Sequence, residues 1–107
     1  MRRFTVHGFE SKGDAVASIG DKPMLYVVIG GGLLVHSADG RCLMEIGEGE
    51  AFGFSFCFGK EPLTVNIVAA SRSQIVIIAP SVARRMKDVR RRAVSRCVRK
   101  IHRYIAR

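Results

Sequence analysis

The sequence predicts a mainly β domain, a sandwich or barrel of short strands, followed by a helical C-terminal segment. Up to residue 78, short apolar and β-branched runs alternate with turns that contain glycine or aspartate, at a spacing of about ten residues. After Pro80 the apolar residues recur with the period of a helix instead of the period of two found in strands. At 107 residues the chain has room for one domain only, because single domains commonly run to about 100 to 150 residues.

The strands are predicted where β-branched and apolar residues lie between turn residues. These runs are residues 4–7, 15–18, 24–29, 33–36, 42–46, 63–69 and 74–78. Asp39 and Gly40 separate the fourth and fifth runs, and this dipeptide favours the positive φ angles of a tight hairpin turn. The sequence therefore predicts an antiparallel hairpin at this point in a domain rich in turns.

The helical segment is predicted to begin beside Pro80, with the Ser81 hydroxyl as a cap for an amide of the first turn. Its apolar residues step by three and four along one stripe, which is shifted once by one position. The first set is Val82, Met86, Val89 and Ala93, and the second is Val94, Val98, Ile101 and Ile105. The shift fits either a break between two helices or the drift of one straight helix relative to a seven-residue repeat.

Charge divides the chain into two regions. Residues 1–81 contain seven basic and eight acidic residues, whereas residues 82–107 contain eleven basic residues and only Asp88 as an acid. The formal net charge of +9 therefore belongs to the C-terminal segment. We expect residues 1–80 to form the β-roll and residues 81–107 to form a basic helical segment of the same domain.

The basic segment is the strongest feature outside the strands. Like charges recur three and four positions apart, which destabilises an isolated helix. The predicted basic surface comprises Arg84, Arg85, Arg90, Arg91, Arg92, Arg96, Arg99, Lys100 and Arg103. The segment is either a solvated helix face or a surface whose repulsion is offset by a partner. Candidate partners are acidic groups of its own roll (Glu45, Glu48 and Glu50), a nucleic-acid backbone or an anionic membrane surface.

Several classes of protein are excluded by composition. The longest apolar stretch, residues 24–35, contains three glycines and is far shorter than the ~20 residues of a membrane-spanning helix. No apolar run follows the N-terminal arginines to form the core of an export signal, so a cytosolic location is expected. Cys42, Cys57 and Cys97 are odd in number and contain no C-x-x-C pair. We expect them to be reduced and to serve packing.

No motif in the sequence points to catalysis or to a metal. His7, His36 and His102 have no cysteine or carboxylate at ligand spacing beside them. The triple glycine at residues 30–32 lacks the lysine and serine or threonine of a phosphate-cradling loop, and no G-x-S-x-G motif is present. The sequence therefore predicts a protein that is not an enzyme and that has no metal site.

Residues 13–78 resemble the cyclic nucleotide-binding domain family, which includes catabolite-activator-like transcription factors, regulatory subunits of cyclic-nucleotide-dependent kinases and gated channels. The resemblance rests on the order and spacing of short motifs. They are Lys12-Gly13-Asp14, Gly20-Asp21, Leu25-Tyr26-Val27-Val28, the triple glycine, Asp39-Gly40, Gly49-Glu50-Ala51-Phe52-Gly53 and Val68-Ala69-Ala70-Ser71. The resemblance implies a double-stranded β-helix or jelly roll, the cyclic nucleotide-binding-like β-roll, with one or more C-terminal α-helices.

The phosphate-binding segment departs from the family pattern. In the family, Phe-Gly-Glu opens a short helix whose glutamate binds the ribose, and a later arginine neutralises the cyclic phosphate. The matching positions here are Phe54 and Leu63, so neither charged side chain is present. Loss of a charge-assisted bond to phosphate costs about 1.5 to 3 kcal/mol. If the pocket functions at all, its lining is predicted as Phe52, Gly53, Phe54, Ser55, Leu63, Thr64 and Val65.

We therefore expect a degenerate pocket with no cofactor. Phe52, Phe54, Phe56 and Phe58 recur with period two, and these rings could fill the pocket from within. The favoured function is a regulatory or interaction module that does not bind cyclic AMP or cyclic GMP in the usual way. The alternatives are a sensor of cyclic nucleotides or other small ligands with an altered site, and a small nucleic-acid-binding regulator that acts through the basic segment.

The resemblance also implies a protein partner or self-association. In transcription factors of the family, a long helix after the roll pairs two subunits. The matching apolar positions for a packing or dimer helix are Met86, Val89, Ala93, Val98 and Ile101. We therefore expect a signalling protein that dimerises through this helix, although such a helix would pair basic residues against basic residues.

Overall fold

The computed structural model describes residues 5–59 and 61–85, which form two antiparallel sheets and two short helices. The first sheet has the strand order β1-β8-β3-β6, and the second has the order β2-β7-β4-β5. The strands are β1 (Thr5–Phe9), β2 (Ala15–Ala17), β3 (Leu25–Gly30), β4 (Gly32–His36), β5 (Cys42–Gly47), β6 (Ala51–Phe52), β7 (Asn66–Ala69) and β8 (Ser73–Ile78). The helices are α1 (Phe54–Gly59) and α2 (Pro80–Arg85). The predicted mainly β roll with a helix after Pro80 is confirmed.

The inner core lies where the two sheets face one another. Alternate residues of each strand point to the same face of a sheet. The inner face of the first sheet contributes Tyr26, Val28 and Ile75, and the second sheet contributes a matching set of apolar side chains. That set is Ala17, Leu33, Val35, Ile46 and Ile67. This interior is where a ligand of such a roll would have to compete with packed side chains.

The outer face of the first sheet is covered by the two helices. The other residues of β3, namely Leu25, Val27 and Ile29, pack there with Cys57 of α1 and Ala83 of α2. β3 is therefore buried on both faces, which explains why its sequence is almost continuously apolar. Burial of both faces makes the first sheet the central layer between the inner core and the helices.

Three turns of the roll share one hydrogen-bond pattern. In the turn from Ser11 to Asp14, the aspartate carboxylate accepts from the amide of Ser11 at 3.0 Å, and the amide of Asp14 donates to the Ser11 carbonyl at 3.1 Å. The third residue, Gly13, has a φ of 91° and donates from its amide to a neighbouring strand. A positive φ is easily reached only by glycine. The turns 18–21 and 47–50 repeat this arrangement with Asp21 and Glu50.

The turn between β3 and β4 is held by a close contact with the turn between β7 and β8. The buried hydroxyl of Ser73 accepts from the Gly32 amide at 3.0 Å and lies 2.8 Å from the Ser71 carbonyl oxygen. A Cβ atom on Gly31 would collide with that hydroxyl and with the Arg72 carbonyl oxygen. Gly31 also has a φ of 75°, so both space and conformation require glycine there.

The hairpin predicted at Asp39 and Gly40 is confirmed. The amide of Ser37 donates to the Arg41 carbonyl at 2.9 Å, and Gly40, with a φ of 87°, donates to the Ser37 carbonyl at 3.0 Å. The hairpin connects β4 to β5, and β5 is the edge strand of the second sheet. Leu43 and Met44 of β5 are both nearly half exposed.

The structure corrects three details of the predicted elements. β6 was not predicted, because a strand of two residues is too short to show a period. The strand predicted over residues 63–69 begins only at Asn66, since residues 63–65 run outside the sheet. The cap of α2 is Ala79 and not Ser81, because the Ala79 carbonyl accepts from the amides of Val82 and Ala83. Pro80 occupies the first helical position, where its missing amide proton costs nothing.

Candidate ligand site

The segment that matches the family's phosphate-binding segment includes Gly53, which lies between β6 and α1. Gly53 has a φ of 111°, and a Cβ atom there would collide with the Met24 carbonyl oxygen. A side chain at this position would therefore force β6 away from β3. This constraint explains the glycine on conformational grounds, without reference to a ligand.

Residues 54–59 form α1. A period of two does not place residues on one face of a helix, which turns by about 100° per residue. That the four rings fill the pocket together stays a prediction. Phe52 and Phe56 still meet, with ring centroids 5.9 Å apart at an angle of 51°. Phe52 also packs against the inner core. Phe54 and Ser55 lie in the first turn of α1.

Leu63 lies inside the inner core, with only 2% of its surface exposed. Its backbone is fixed by the turn at residues 18–21: its amide donates to the Asp21 carbonyl at 2.9 Å, and its carbonyl accepts from the Gly20 amide at 2.8 Å. Val65 is half-buried against the same core, whereas Thr64 is exposed. Phe52, Leu63 and Val65 of the predicted pocket are thus brought to one core, and Thr64 faces away from it.

One cavity, of about 390 Å³, lies where the β3–β4, β5–β6 and β7–β8 turns meet. Its wall includes two carboxylates, those of Glu45 and Glu50, and no lysine, arginine or histidine of the described part of the chain. The Glu50 carboxylate accepts from the Gly47 amide at 2.7 Å and therefore serves the turn itself. The remaining lining residues are Gly31, Gly32, Leu33, Ile46, Gly47, Ala70 and Ser71.

A second cavity, of about 370 Å³, lies among the β2–β3 loop, α1 and the beginning of α2; we call it the outer cavity. It is lined by Lys22, Pro23, Cys57, Ala79, Pro80, Ser81 and Arg84. Neither of these two cavities is lined by Phe52, Gly53, Leu63, Thr64 or Val65, the residues of the predicted pocket whose side chains the structure describes.

Arg84 joins the two helices at the outer cavity. Its Nη1 atom donates to the Cys57 carbonyl of α1 at 2.9 Å. Burial raises the pKa of the Cys57 thiol, and the charge of Arg84 opposes that rise. Cys57 packs against the outer face of the first sheet, as predicted for a packing cysteine. The same prediction is wrong for Cys42, which is exposed in the edge strand β5.

The other predicted residues divide between the described part of the chain and the rest. Of the predicted basic surface, Arg84 is half-buried in α2 and Arg85 is exposed. The remaining seven basic residues and the packing set, Met86, Val89, Ala93, Val98 and Ile101, lie outside the described residues. Sequence reasoning missed Lys22 and Cys57 as neighbours of Arg84, because they are far apart in the chain and no motif connects them.

Residues 5–59 and 61–85 show neither a metal-ligating cluster nor a candidate membrane span. No group of three or more histidine, cysteine, aspartate or glutamate residues in these ranges is placed to hold a metal ion. No helix within the same ranges is long and apolar enough to cross a membrane.

The fold and the turn at Gly53 define a class of protein domain. It is a jelly roll in which two four-stranded sheets enclose an apolar interior and a short helix follows the sixth strand. The chain belongs to the cyclic nucleotide-binding domain family, whose sequence model matches residues 10–88. The match covers both sheets apart from β1, and it includes α1 and α2. The resemblance expected from the sequence is therefore confirmed.

Solved structures with the same fold come from several regulatory proteins. The regulatory subunit of a cAMP-independent protein kinase A from Trypanosoma brucei superposes with a TM-score of 0.65 at 20% identity, over 72% of this chain and 28% of that one. The sensor domain of the transcriptional regulator DNR from Pseudomonas aeruginosa superposes with a TM-score of 0.71 at 16% identity, over 79% of this chain and 62% of that one. The Thermus thermophilus catabolite activator protein superposes with a TM-score of 0.67 at 19% identity, over 97% of this chain and 53% of that one.

These likenesses establish the fold and extend over only part of each relative. The chain spans 28% to 62% of the length of the three solved proteins. No curated protein matches the chain at a significant level.

Proposed function

We propose that this chain is a regulatory or interaction module without catalytic activity, in which the roll does not bind cyclic AMP or cyclic GMP in the manner of its family. Domains of this family are typically regulatory. The proposal is carried by the position of Leu63, a buried core residue where the family has its phosphate-binding arginine. An apolar side chain there leaves a cyclic phosphate without its usual counter-charge.

The surroundings of Leu63 support the same conclusion. Its backbone is bonded on both sides to the turn at residues 18–21, which fixes the position from which the side chain enters the core. Phe52 and Val65 pack against the same interior. A ligand would have to displace these packed apolar groups, and each buried side chain of this size contributes about 1.5 to 3 kcal/mol of burial energy.

The cavity at the β3–β4 turn offers no replacement site for a phosphate. Glu45 and Glu50 both line it, and two carboxylates repel a phosphate group. The Trypanosoma brucei relative, described as cAMP-independent, is a further precedent for this fold in a protein that does not depend on cyclic AMP.

The test is a titration of the full chain with cyclic AMP and cyclic GMP at constant ionic strength, followed by melting temperature and by two-dimensional amide NMR. A ligand present at a hundred times its Kd stabilises a protein by about 2.7 kcal/mol, which would raise the melting temperature by several degrees. We expect no such rise, and no saturable shifts of the Gly53, Thr64 and Val65 amides.

The contradicting result is a saturable rise in melting temperature accompanied by shifts at those three amides. That outcome would make the chain a cyclic nucleotide sensor with an altered site. Shifts that are spread over the basic segment and vanish at high salt would instead report binding to charge alone. A Leu63→Arg variant that folds and gains binding would support the role assigned to Leu63.

A second candidate function follows from the charge distribution. Eleven basic residues and one acidic residue occupy residues 82–107, and such a concentration of charge favours contact with a nucleic-acid backbone. In this reading the roll presents the basic segment to its partner. The segment beyond Arg85 lies outside the described residues, so this candidate rests on sequence.

This candidate is tested by binding to a short DNA duplex and to an RNA hairpin over a range of salt concentrations. Affinity for a backbone should fall linearly on a logarithmic plot against salt, with a slope set by the number of phosphates neutralised. Substitution of Arg90, Arg91 and Arg92 by glutamine should reduce that slope. A control with Arg41 and Arg72 replaced by glutamine, two exposed arginines of the roll, should leave the slope unchanged.

A further inference from the structure

The outer cavity is not accounted for by the family's nucleotide site. It borders the outer face of the first sheet, where Cys57 and Ala83 pack, whereas the predicted nucleotide pocket faces the inner core. Its volume of about 370 Å³ falls within the range of small-molecule sites in proteins. A separate ligand could therefore occupy it whether or not the roll binds a cyclic nucleotide.

The charged side chains that the described residues contribute to the outer cavity are both positive. Among residues 5–59 and 61–85, Lys22 from the β2–β3 loop and Arg84 from α2 are its only ionisable side chains apart from the Cys57 thiol. Within residues 5–59 and 61–85, no carboxylate forms an ion pair with Lys22 or Arg84. Two cations from distant parts of the chain thus face one space without a counter-ion from the described residues.

Arg84 is held in place for binding. Its Nη1 donation to the Cys57 carbonyl at 2.9 Å engages one of five N–H groups. A guanidinium fixed in this way loses less conformational freedom when it binds an oxyanion, and its planar fork suits two oxygens at once. Lys22 is exposed and can reach the same anion as a point charge.

The rest of the wall suits a small organic group. Pro23, Ala79 and Pro80 supply apolar surface, and Ser81 supplies a hydroxyl. The cavity therefore places polar groups and apolar surface side by side. We propose that the outer cavity binds a compact phosphate-bearing molecule, with Lys22 and Arg84 holding the phosphate and the proline-lined wall holding a small organic moiety.

The experiment is an amide NMR titration of the full chain with inorganic phosphate, with glycerol 3-phosphate and with glycerol, at constant ionic strength set by sodium chloride. Saturable shifts are expected at Lys22, Cys57, Ser81 and Arg84 with the two phosphates, and none with glycerol. Tighter binding of glycerol 3-phosphate would assign the site to an organic phosphate. Equal affinities would assign the site to free phosphate and would overturn the role proposed for the proline-lined wall.

Matched variants separate this site from the general positive charge of the chain. Lys22→Gln and Arg84→Gln should each weaken binding about tenfold or more, because each removes a charge-assisted contact. Lys12→Gln and Arg85→Gln remove the same charge from exposed residues that do not line the cavity, and they should change affinity less than about twofold. Lys22→Gln disturbs no described hydrogen bond, so its folding is not at risk.

The proposal is overturned if neither phosphate gives saturable shifts at these four amides. It is also overturned if Lys12→Gln weakens binding as much as Lys22→Gln does, since the anion would then be attracted by net charge. The cyclic nucleotide titration reports on Gly53, Thr64 and Val65, so the two proposals can fail independently.

Discussion

Tyr26 shows how one residue of the inner core depends on the layers around it. It is 3% exposed and lies in β3, opposite Phe52 of β6. Burial raises the pKa of the Tyr26 phenol, and the negative charges of Asp21 and of ionised Cys57 raise it further, from 10.0 to about 12 in total. The folded state therefore keeps a proton that the unfolded chain loses near pH 10.

Tyr26 should make the chain sensitive to alkali. Between about pH 10 and pH 12 the folded state binds more protons than the unfolded state, so the free energy of unfolding falls as pH rises. The stability linked to the neutral phenol is fully present below pH 10 and is lost as pH passes 12. Denaturant titrations at several pH values should show a loss of up to about 1.4 kcal/mol per pH unit that Tyr26→Phe does not share.

The control for this prediction uses the absorbance of tyrosinate. In a Tyr104→Phe background, Tyr26 is the only tyrosine, because the chain contains two. Its ionisation should then coincide with unfolding. Ionisation of the folded protein near pH 10 would contradict the raised pKa.

At the scale of elements, the three repeated turns connect one strand to the next in the roll. In each turn the carboxylate closes the loop, while the glycine amide and the last carbonyl pair with a residue of another part of the roll. The partners are Ala69, Leu63 and Val28. The local motif of glycine followed by aspartate or glutamate therefore marks residues that also make long-range hydrogen bonds.

Removal of a turn carboxylate should destabilise the chain modestly. Asp21→Ala loses the 2.8 Å hydrogen bond from the Ser18 amide, which should lower the free energy of unfolding by about 1 kcal/mol at this exposed position. Asp21→Asn keeps an acceptor oxygen and should recover most of the loss. Urea titrations measure the difference.

Glu61→Ala is the matched control, because Glu61 is an exposed carboxylate without a hydrogen bond to any described residue. It should change the free energy of unfolding by less than about 0.5 kcal/mol. Equal effects of Asp21→Ala and Glu61→Ala would mean that the turn hydrogen bond contributes nothing.

At the scale of the whole molecule, stability depends on three layers: the second sheet, the first sheet and the helices. The two apolar clusters lie on opposite faces of the first sheet, so β3 and β8 contribute to both. Leu63 contributes to the inner cluster from a loop that lies outside either sheet. That loop therefore belongs to the core although its residues form no regular element.

The contribution of Leu63 can be measured against a leucine on the surface. Leu63→Ala should destabilise the chain by about 2 to 5 kcal/mol, because it leaves a cavity between the sheets. Leu43→Ala, in the edge strand β5 with 46% of the residue exposed, should cost less than about 0.5 kcal/mol. Similar losses for the two variants, measured by urea unfolding, would contradict the place of Leu63 in the core.

The sequence alone predicted the features that depend on short-range chemistry. The strands, the hairpin at Asp39 and Gly40 and the helix after Pro80 all follow from local periods, turn residues and spacing. Phe54 and Leu63 could be identified because the family motif surrounds them. The burial of Leu63 could not, since a single leucine in a loop carries no period.

Tertiary structure decided the features that depend on which elements meet. The helix at residues 54–59 follows the turn at Gly53, and its Cys57 packs on the outer face of the first sheet, which no local period indicated. The outer cavity joins Lys22, Cys57 and Arg84, which are separated by tens of residues. Only the folding of the chain around the first sheet brings such groups together, because neither period nor spacing encodes contact across layers.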